Sequence, residues 1–358
     1  MSAFREYLNL VRKGKLFQVI YHVTRKCNAR CVSCFSWKRS SIDTPELSLA
    51  EVERITHSMP DFPWLLLSGG EPFLREDLPA VVSLFYKNSA VRHVTLPTNA
   101  LMPDRIRSMT RELCASAREA TVNLVISIDG LGSEHDRLRG CPGNFEALRE
   151  TWEKVAELRQ SLPNLSVKFH TVLSNQNYLH FDEIRDFVGG LKPDLHTFDF
   201  LRGTPADSSL TLPPEEKLPE LSRKIKAVLR HYGGYERLRK HHSLLKTVYE
   251  AVVEDYYDQF LKVLREKRQI VPCVADRMTL VLGASGEVSL CEMLEPFASF
   301  RDFDYDFASL WDCEAGVRAR SQVTAGRCYC YHPCYQTINV LFRPSAVARA
   351  LFKRMARL

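Results

Sequence analysis

The sequence predicts an α/β fold whose largest part is a partial (β/α)6 TIM-like barrel. Between about residues 18 and 205, six short apolar runs typical of strands alternate with amphipathic stretches typical of helices. Strands separated by crossover helices form parallel sheets. We therefore expect a curved barrel of six strand–helix units, with a flat doubly wound sheet as the alternative. The expected strands are Gln18–His22, Trp64–Leu67, His93–Leu96, Val122–Ile128, Val167–Val172 and Thr197–Leu201.

Two of the stretches between these strands carry strong helix signals. Ser48 followed by Glu51 has the spacing of a capping box, which marks the first turn of a helix. The range Asn144–Gln160 places apolar residues at helical spacing. Those apolar residues are Phe145, Leu148, Trp152, Val155 and Leu158.

The pattern changes beyond the sixth strand. The range 203–219 is rich in Pro, Ser and Thr and predicts a connecting segment, whereas 218–269 is strongly helical. A hairpin with Gly286 in its turn is expected in MTLVLGASGEVSLC. Residues 343–358 predict a short, basic, amphipathic helix. We thus expect a barrel at 1–205, a helical insertion at 206–270, a small C-terminal domain at 271–342 and a tail at 343–358.

The composition is that of an ordinary globular protein. The chain has 358 residues, 45% of them hydrophobic and 26% charged, with a net charge of +6. This surplus fits a negatively charged cofactor but is too small and scattered to predict nucleic-acid binding. The sequence has no uncharged run long enough to span a bilayer, and its first residues lack a signal-peptide core. With 11 cysteines, an odd count, we expect a cytoplasmic protein whose clustered cysteines bind metal or act in catalysis.

Three cysteines follow the first strand within eight residues. Cys27, Cys31 and Cys34 have the spacing C-x3-C-x2-C, in the loop where an α/β sheet places its binding site. A structural zinc site would need a fourth ligand nearby. Three thiolates with an open position instead suit a 4Fe–4S cluster with one free iron. Neighbouring cations are expected to lower the pKa of the thiols and to offset the charge of the cluster. These cations are Arg25, Lys26 and Arg30.

Polar residues also end the next strands. Polar groups at successive strand ends are typical of a site at the mouth of a barrel, although each taken singly also suits a turn or a charged loop. Glycines at a strand end let the backbone approach a ligand closely, and the alternative for GGE is a tight turn with a solvated Glu. The residues are Gly69, Gly70 and Glu71 after the second strand, Thr98 and Asn99 after the third, Ser127, Asp129 and Gly130 after the fourth, and then His135, Asp136, Arg137 and Arg139.

Together these motifs resemble the signature of the radical S-adenosylmethionine (SAM) enzymes over roughly residues 17–205. The resemblance implies that Cys27, Cys31 and Cys34 hold a 4Fe–4S cluster whose open iron binds the amino and carboxylate groups of SAM. The reduced cluster would cleave SAM to a 5′-deoxyadenosyl radical, with a donor such as flavodoxin or ferredoxin supplying the electron.

The same resemblance assigns roles to residues around the cysteines. It implies that the backbone of Gly69, Gly70 and Glu71 binds the methionyl ammonium of SAM. In the family, positions like Thr98, Asn99, Ser127 and Asp129 lie near the ribose and carboxylate, and Ser127 is our candidate for a hydrogen bond to SAM. Arg139 is the candidate partner of the carboxylate. One position departs from the family, because Ser33 stands where a bulky residue usually precedes the third cysteine. Phe35 is therefore the candidate contact to adenine.

A second group of cysteines lies in the range 271–342. Zinc is one interpretation, because four cysteines around a hairpin form a common structural site. The spacings also resemble the SPASM-like (twitch-type) auxiliary domain of many radical SAM enzymes, which implies one auxiliary 4Fe–4S cluster. The implied ligands are Cys273, Cys291, Cys330 and Cys334, with Cys328 as the alternative to Cys330. Cys313, Cys114 and Cys141 are expected to be structural.

The substrate stays open at this stage. We expect a radical SAM enzyme that removes hydrogen from a small molecule or peptide, with the auxiliary cluster assisting a net oxidation or other modification. One alternative is a ribosomal-peptide maturase that forms a cross-link, although the stretch before the first strand is short for a peptide-recognition domain. The other is a non-catalytic zinc or iron–sulfur protein, which would need neither the GGE nor the SIDG segment.

The helical insertion and the tail each have two interpretations. The tyrosines of the insertion either wall the substrate pocket or belong to a structural linker. The basic tail either docks on the core or rests on an anionic membrane surface. The tyrosines are Tyr232, Tyr235, Tyr249, Tyr256 and Tyr257, and two further residues of the insertion, His241 and His242, are expected to be exposed.

Overall fold

The computed structural model describes residues 16–37, 44–232, 243–326 and 328–356, apart from the side chains of 243–246. Its strands are β1 (Gln18–Thr24), β2 (Trp64–Gly69), β3 (His93–Thr98), β4 (Thr121–Ser127), β5 (Leu165–Leu173), β6 (Leu195–Phe200), β7 (Thr279–Leu282), β8 (Glu287–Ser289) and β9 (Ala298–Ser299). They form one sheet in the order β6-β5-β4-β3-β2-β1-β7-β8-β9. Strands β1 to β6 pair in parallel, which confirms the expected α/β class.

Helices alternate with the barrel strands as the sequence predicts. The first begins with the expected capping box, in which the Ser48 hydroxyl accepts from the Glu51 N–H and the Glu51 carboxylate accepts from the Ser48 N–H at 2.8 Å. The helices are α1 (Leu49–Ser58), α2 (Leu78–Asn88), α3 (Pro103–Ser116), α4 (Gly132–Arg139), α5 (Asn144–Ser161), α6 (Phe181–Leu191), α7 (Leu218–His231), α8 (Ser243–Glu266), α9 (Ala275–Met278), α10 (Phe307–Asp312), α11 (Glu314–Thr324), α12 (Pro333–Leu341) and α13 (Pro344–Met355).

The six-stranded part of the sheet curves around a lumen. Successive side chains of a strand point to opposite faces, so alternate residues of each strand share the inner face. One cavity is lined by inner-face residues from all six strands, which supports the curved form over the flat alternative. They include Gln18, Trp64, Leu66, Thr95, Val125, Lys168, His170, Leu195, Thr197 and Asp199.

The second cysteine region continues the barrel sheet. Strands β7 and β8 form the expected antiparallel hairpin, and Gly286 has a φ of 96° in its turn. Strand β7 also pairs in parallel with β1, with Val19 opposite Leu280. The sequence pattern does not indicate this pairing, which fixes the hairpin beside the strand that leads into the cysteine loop.

Helices α7, α8 and α13 form a layer beside β6. The rings of Phe200 and Phe260 are stacked with centroids 4.2 Å apart, and the Tyr257 hydroxyl donates to the Phe198 carbonyl at 2.7 Å. The tyrosines of α8 therefore pack against the barrel and line its lumen. Tyr235, His241 and His242 lie outside the described residues.

Helix α13, in the expected basic tail, docks on α8 through ion pairs. Arg354 pairs with Glu250 at 2.5 Å, and Lys353 and Arg349 pair with Asp255 at 2.5 and 3.0 Å. These contacts support the core-docking interpretation, and contact with a membrane surface stays a prediction. No helix in the described ranges is both long enough and apolar enough to cross a membrane.

Replacing Asp255 by Ala tests this docking. The Asp255 residue is 2% exposed, and the guanidinium of Arg349 and the ammonium of Lys353 both donate to its carboxylate. We expect the free energy of unfolding to fall by about 2 kcal/mol, the usual effect of losing hydrogen bonds to charged groups. Anaerobic urea denaturation measures it. The control Glu146→Ala removes an exposed pair with Arg149 and should cost under about 0.5 kcal/mol. Equal costs in the two variants would contradict the prediction.

Candidate active site

The cysteine loop leaves β1 and rests on the end of α4. The Arg30 N–H donates to the Arg139 carbonyl at 3.1 Å, and the Val32 N–H donates to the Leu138 carbonyl at 3.0 Å. Gly140 ends α4 in the left-handed conformation, and a Cβ there would overlap the carbonyl oxygen of Arg30. The C-terminus of α4 therefore holds the middle of the loop in place.

The glycine pair after β2 seats the start of the same loop. The Gly70 N–H donates to the Thr24 carbonyl and the Glu71 N–H to the Lys26 carbonyl, each at 2.8 Å. A Cβ on Gly69 or on Gly70 would overlap these carbonyl groups. The glycines are thus required by close contact with the cysteine loop. Because these two N–H groups already donate hydrogen bonds to the cysteine loop, they are not available to a ligand. The groups of this turn that could accept from a ligand's ammonium are its carbonyl oxygens.

Glu71 is buried, so the alternative of a turn with a solvated Glu is wrong. Its carboxylate accepts from the Thr98 hydroxyl at 2.9 Å, the Asn99 N–H at 2.7 Å and the Phe73 N–H at 3.3 Å. Burial raises the pKa of Glu71 to about 7, although these hydrogen bonds oppose the shift. Glu71 therefore joins the ends of β2 and β3. The Asn99 side chain adds a bond of 2.7 Å to Asn28 in the cysteine loop.

A second buried carboxylate, Asp129, follows β4. It accepts from the Arg139 guanidinium at 3.0 Å and from the Val172 N–H at 2.9 Å. The Nε of Arg139 is buried and has no hydrogen-bond partner among the described residues. Burial disfavours its charge, but the sulfur of Cys31 and the Asp129 carboxylate more than offset this and keep the pKa of Arg139 above its usual value. Arg139, whose side chain is 11% exposed, is thus a largely enclosed cation beside the cysteines.

The thiol pKa values differ from the sequence prediction. Burial raises the pKa of Cys31 to about 11 and also raises that of Cys27, with Arg139 opposing both shifts. The expected lowering by Arg25, Lys26 and Arg30 is wrong. The side chains of two of them make other contacts: Arg25 donates to Thr44 and Ser285, and Arg30 donates to backbone carbonyls of the loop at 2.8 and 2.9 Å. Ionising these thiols therefore requires a stronger positive partner, such as bound iron.

The three cysteines fit an iron–sulfur cluster by donor type and burial. Their sulfurs lie close enough to affect one another electrostatically. Across residues 16–37, 44–232, 243–326 and 328–356, no three His, Cys, Asp or Glu side chains converge as ligands of one metal ion do. This result does not count against a cluster, because each cysteine of a 4Fe–4S cluster binds a different iron and the sulfurs need not converge on one ion.

The other residues predicted to contact SAM lie around this loop. They differ in whether their side chains already contact other residues of the protein. Ser127, on the inner face of β4, is half-buried, and no hydrogen bond of its hydroxyl is found among the described residues. Thr98 and Asn99 are already engaged with Glu71. The Phe35 ring lies under the guanidinium of Arg202, 5.0 Å from its centroid, at the end of β6. Its contact with adenine stays a prediction.

The second group of cysteines gathers beside β7 and β8. Cys330 influences the pKa of both Cys273 and Cys291, and Cys334 shares one apolar cluster with those two residues. Burial raises the pKa of Cys273 and Cys334 to about 12. Cys328 is exposed whereas Cys330 is half-buried, which favours Cys330 as the ligand. The ligand set itself stays a prediction.

The three cysteines expected to be structural lie in different parts of the fold. Cys114 is buried in the barrel core, and Cys141 follows α4. The Cys313 sulfur accepts from the Gly316 N–H at 3.3 Å and caps α11, which supports a structural role.

Buried polar residues connect the two cysteine groups. Glu292, next to Cys291, bonds to His22 of β1 at 3.1 Å and to His332 at 2.9 Å. Arg202 pairs with Asp199 at 2.7 Å, and its pKa is affected by Glu292 and Cys334. Because Arg202 also covers the ring of Phe35, it lies between the two groups.

Sequence analysis missed these connecting residues. Asp199 and Arg202 end the sixth strand in FDFLRG, so the strand-end rule used for β2 to β4 could have found them. His332 stands between two candidate ligands in CYHPC, which is a second usable signal. His22 and Glu292 carry no such signal, because their contact joins residues far apart in the chain.

The barrel lumen contains a cavity of about 230 Å³ that reaches the second cysteine group. Its wall includes inner-face residues of the barrel together with residues of α8 and α12, among them Tyr256 and Cys334. The His170 Nδ1 lies 2.9 Å from the Thr197 hydroxyl, and its Nε2 lies 3.6 Å from the Asp199 carboxylate. Burial lowers the pKa of His170, so a neutral imidazole faces the cavity.

Comparison with known protein families agrees with this geometry. Residues 21–188 match the model of the Radical SAM superfamily. This range begins in β1 and ends in α6, so it contains the cysteine loop, the GGE turn and the ends of β2 to β5. Residues 21–188, just under half of the chain, therefore match a radical SAM domain, which confirms over that range the resemblance seen in the motifs.

Two curated relatives match half of the chain or less. The Fe-coproporphyrin III synthase of Methanosarcina barkeri is 31% identical over 138 residues, which is 38% of this chain and 33% of that protein. The probable GTP 3′,8-cyclase of Methanococcus maripaludis is 28% identical over 181 residues, which is 50% of this chain and 57% of that protein. The aligned part therefore spans about a third to just over half of these relatives.

A solved structure matches a larger share of the chain. Streptococcus suis SuiB bound to S-adenosylmethionine superposes with a TM-score of 0.59 at 14% identity, covering 88% of this chain and 71% of that one. At such low identity the likeness shows the fold alone.

Replacing Gly70 by Ala should prevent the cysteine loop from binding iron. The added Cβ overlaps the Lys26 carbonyl, so the loop must move away from β2. We expect the anaerobically reconstituted variant to lose about half of its iron and to stop cleaving SAM. Iron per chain and absorbance near ~400 nm measure the loss.

Gly189→Ala is the matched control, because a Cβ there meets no atom within 4 Å and Ala favours the helix α6. A Gly70→Ala protein with full iron and full cleavage would contradict the seating of the loop by this turn.

Proposed function

We propose that this chain is an enzyme that cleaves S-adenosylmethionine reductively and uses the resulting radical to remove hydrogen from a C–H bond. The observation that carries the proposal is the bracing of the cysteine loop at the barrel mouth. The Gly70 and Glu71 N–H groups hold its start, and the end of α4 holds its middle. A loop fixed in this way presents its sulfurs where the barrel opens.

Different residues at the barrel mouth would bind the cluster and SAM. Cys27, Cys31 and Cys34 would hold a 4Fe–4S cluster that, when bound, supplies the electron for cleaving SAM. Arg139, whose buried Nε has no hydrogen-bond partner in the part of the chain that the structure describes, would pair with the carboxylate of SAM. Ser127 would offer its hydroxyl from β4. The buried pairing of Arg139 with Asp129 fixes the guanidinium before the ligand arrives.

The second cysteine group supports a net oxidation. Cys273, Cys291, Cys330 and Cys334 would hold an auxiliary 4Fe–4S cluster, with Cys328 as the alternative to Cys330. Full ligation by cysteine would leave no iron for the substrate, so acceptance of an electron is the role that the site supports best. Arg202 would help, because a half-buried cation that is close enough to Cys334 to interact with it favours an added electron.

Peptide modification is a second candidate within the same chemistry. SuiB has been solved with its precursor peptide SuiA, and another neighbour, anSMEcpe, with the peptide Cp18Cys. The lumen cavity of about 230 Å³ is smaller than the ~300 Å³ at the lower end of ordinary ligand pockets. One side chain of a peptide or one small molecule would fill it, whereas a macrocycle would not.

Substituting all three cysteines of the first loop by Ala tests the proposal. We expect about eight irons per chain in the wild type and about four in the Cys27/Cys31/Cys34→Ala variant, since each cluster holds four irons. Release of 5′-deoxyadenosine from SAM after reduction should disappear with the first cluster. Anaerobic iron analysis and chromatography of the nucleoside provide the two measurements.

The control is Cys114→Ala, which removes a core cysteine outside both groups and should keep iron and cleavage. Wild-type protein that binds zinc at both cysteine groups, or binds iron without cleaving SAM, would favour the non-catalytic alternative and refute the proposal.

A further inference from the structure

The lumen cavity has a polar floor as well as a polar mouth. Gln18 is the first residue of β1, and Lys168 pairs with Leu195, the first residue of β6, so both lie toward the strand beginnings. His170 and Asp199 lie nearer the strand ends, toward the cysteines. Trp64, which pairs with Gln18, also lies at the floor, and the wall above it is largely apolar and includes Leu66, Val125, Phe198 and Tyr256.

The floor carries a hydrogen-bond donor without a partner. Gln18 is 2% exposed, and its Nε2 has no hydrogen bond among the described residues. A buried amide that donates to nothing is costly, so such a group is expected to face a ligand or an ordered water. Lys168, whose side chain carries an amine donor, lines the same cavity and is 4% exposed. Two residues with N–H donors therefore line the floor of the lumen.

The acidic residues around the cavity are neutralised by arginine. Asp199 pairs with Arg202 at 2.7 Å, Glu250 pairs with Arg354 at 2.5 Å, and Glu254 pairs with Arg230 at 2.7 Å. Because each of these lining carboxylates has a cationic partner, they do not by themselves repel an anionic ligand. The donors on the floor then decide which ligand is favoured.

The size of the cavity and the spacing of its polar ends set the length of the ligand. Its volume of about 230 Å³ equals that of about eight water molecules in the liquid. Lys168 and His170 are two residues apart on β5, so their Cα atoms are about 6.7 Å apart along the strand. A chain of about four or five carbons would reach from one to the other.

We propose that the lumen binds a short carboxylate, with its anionic end at Gln18 and Lys168 and its oxidisable carbon toward His170. The carboxylate belongs either to a small free acid or to an acidic side chain of a peptide. This inference rests on the proposed function and names the chemical class of its substrate. In this proposal, hydrogen-bond donors on the floor select the carboxylate, and the shape of the cavity does not.

Binding of two matched probes to the iron-loaded protein tests it. The probes are 5-hydroxypentanoate and its neutral isostere 5-hydroxypentanamide, measured anaerobically by isothermal titration calorimetry. Saturating SAM without reductant is present, so that the free acid cannot occupy the SAM carboxylate position near Arg139. A second arm compares acetyl-Gly-Glu-Gly-amide with its Gln analogue, which separates a free acid from a peptide side chain.

We expect at least one carboxylate probe to bind ten-fold or more tightly than its neutral isostere. Lys168→Met and Gln18→Leu should each weaken that binding about ten-fold, because each removes a buried donor to a charged group. Lys154→Met is the control, since that lysine pairs with Asp104 and Glu150 on the helix surface. Whichever arm binds identifies the source of the carboxylate.

Three results would overturn the inference: no binding of either carboxylate, equal binding of the neutral isosteres, or unchanged binding in Lys168→Met and Gln18→Leu. Cleavage of SAM, measured on the same preparations after reduction, separates this failure from failure of the proposed function. Cleavage without carboxylate binding would refute the substrate class alone.

Discussion

The contact between the GGE turn and the cysteine loop is the constraint on which the site depends. The end of β2 packs against residues 24–26 through two backbone hydrogen bonds. The contact is so close that neither Gly69 nor Gly70 has room for a Cβ. The buried Glu71 carboxylate then ties that turn to the end of β3. One carboxylate thus organises two strand ends and the loop, which explains why a charged residue occupies a fully enclosed position.

The second half of the site comes from distant parts of the chain. Pairing of β7 with β1 places the second cysteine group beside the strand that leads into the first, and α8 with α12 covers the lumen. Arg202 lies between the groups, in contact with Phe35 on one side and influenced by Cys334 on the other. The two cysteine groups therefore share one polar interior rather than occupying separate sites.

Sequence reasoning predicted the local features and missed the long-range ones. All six barrel strands, the capping box at Ser48 and the hairpin at Gly286 follow from periodicity and turn chemistry, which act over a few residues. The pairing of β7 with β1 and the contact of His22 with Glu292 join residues more than 250 positions apart. The thiol pKa values were also mispredicted, because burial outweighs the charges of neighbours whose side chains point elsewhere.

Electron paramagnetic resonance of the reduced protein, recorded with and without SAM, tests the central claim most directly. If the braced loop holds a cluster with an open iron while the second group is fully ligated, SAM will change one of two cluster signals and leave the other unaltered. The changed signal should be the one absent from the Cys27/Cys31/Cys34→Ala variant. A spectrum that is the same with and without SAM, or a reduced protein with no cluster signal, would contradict the account.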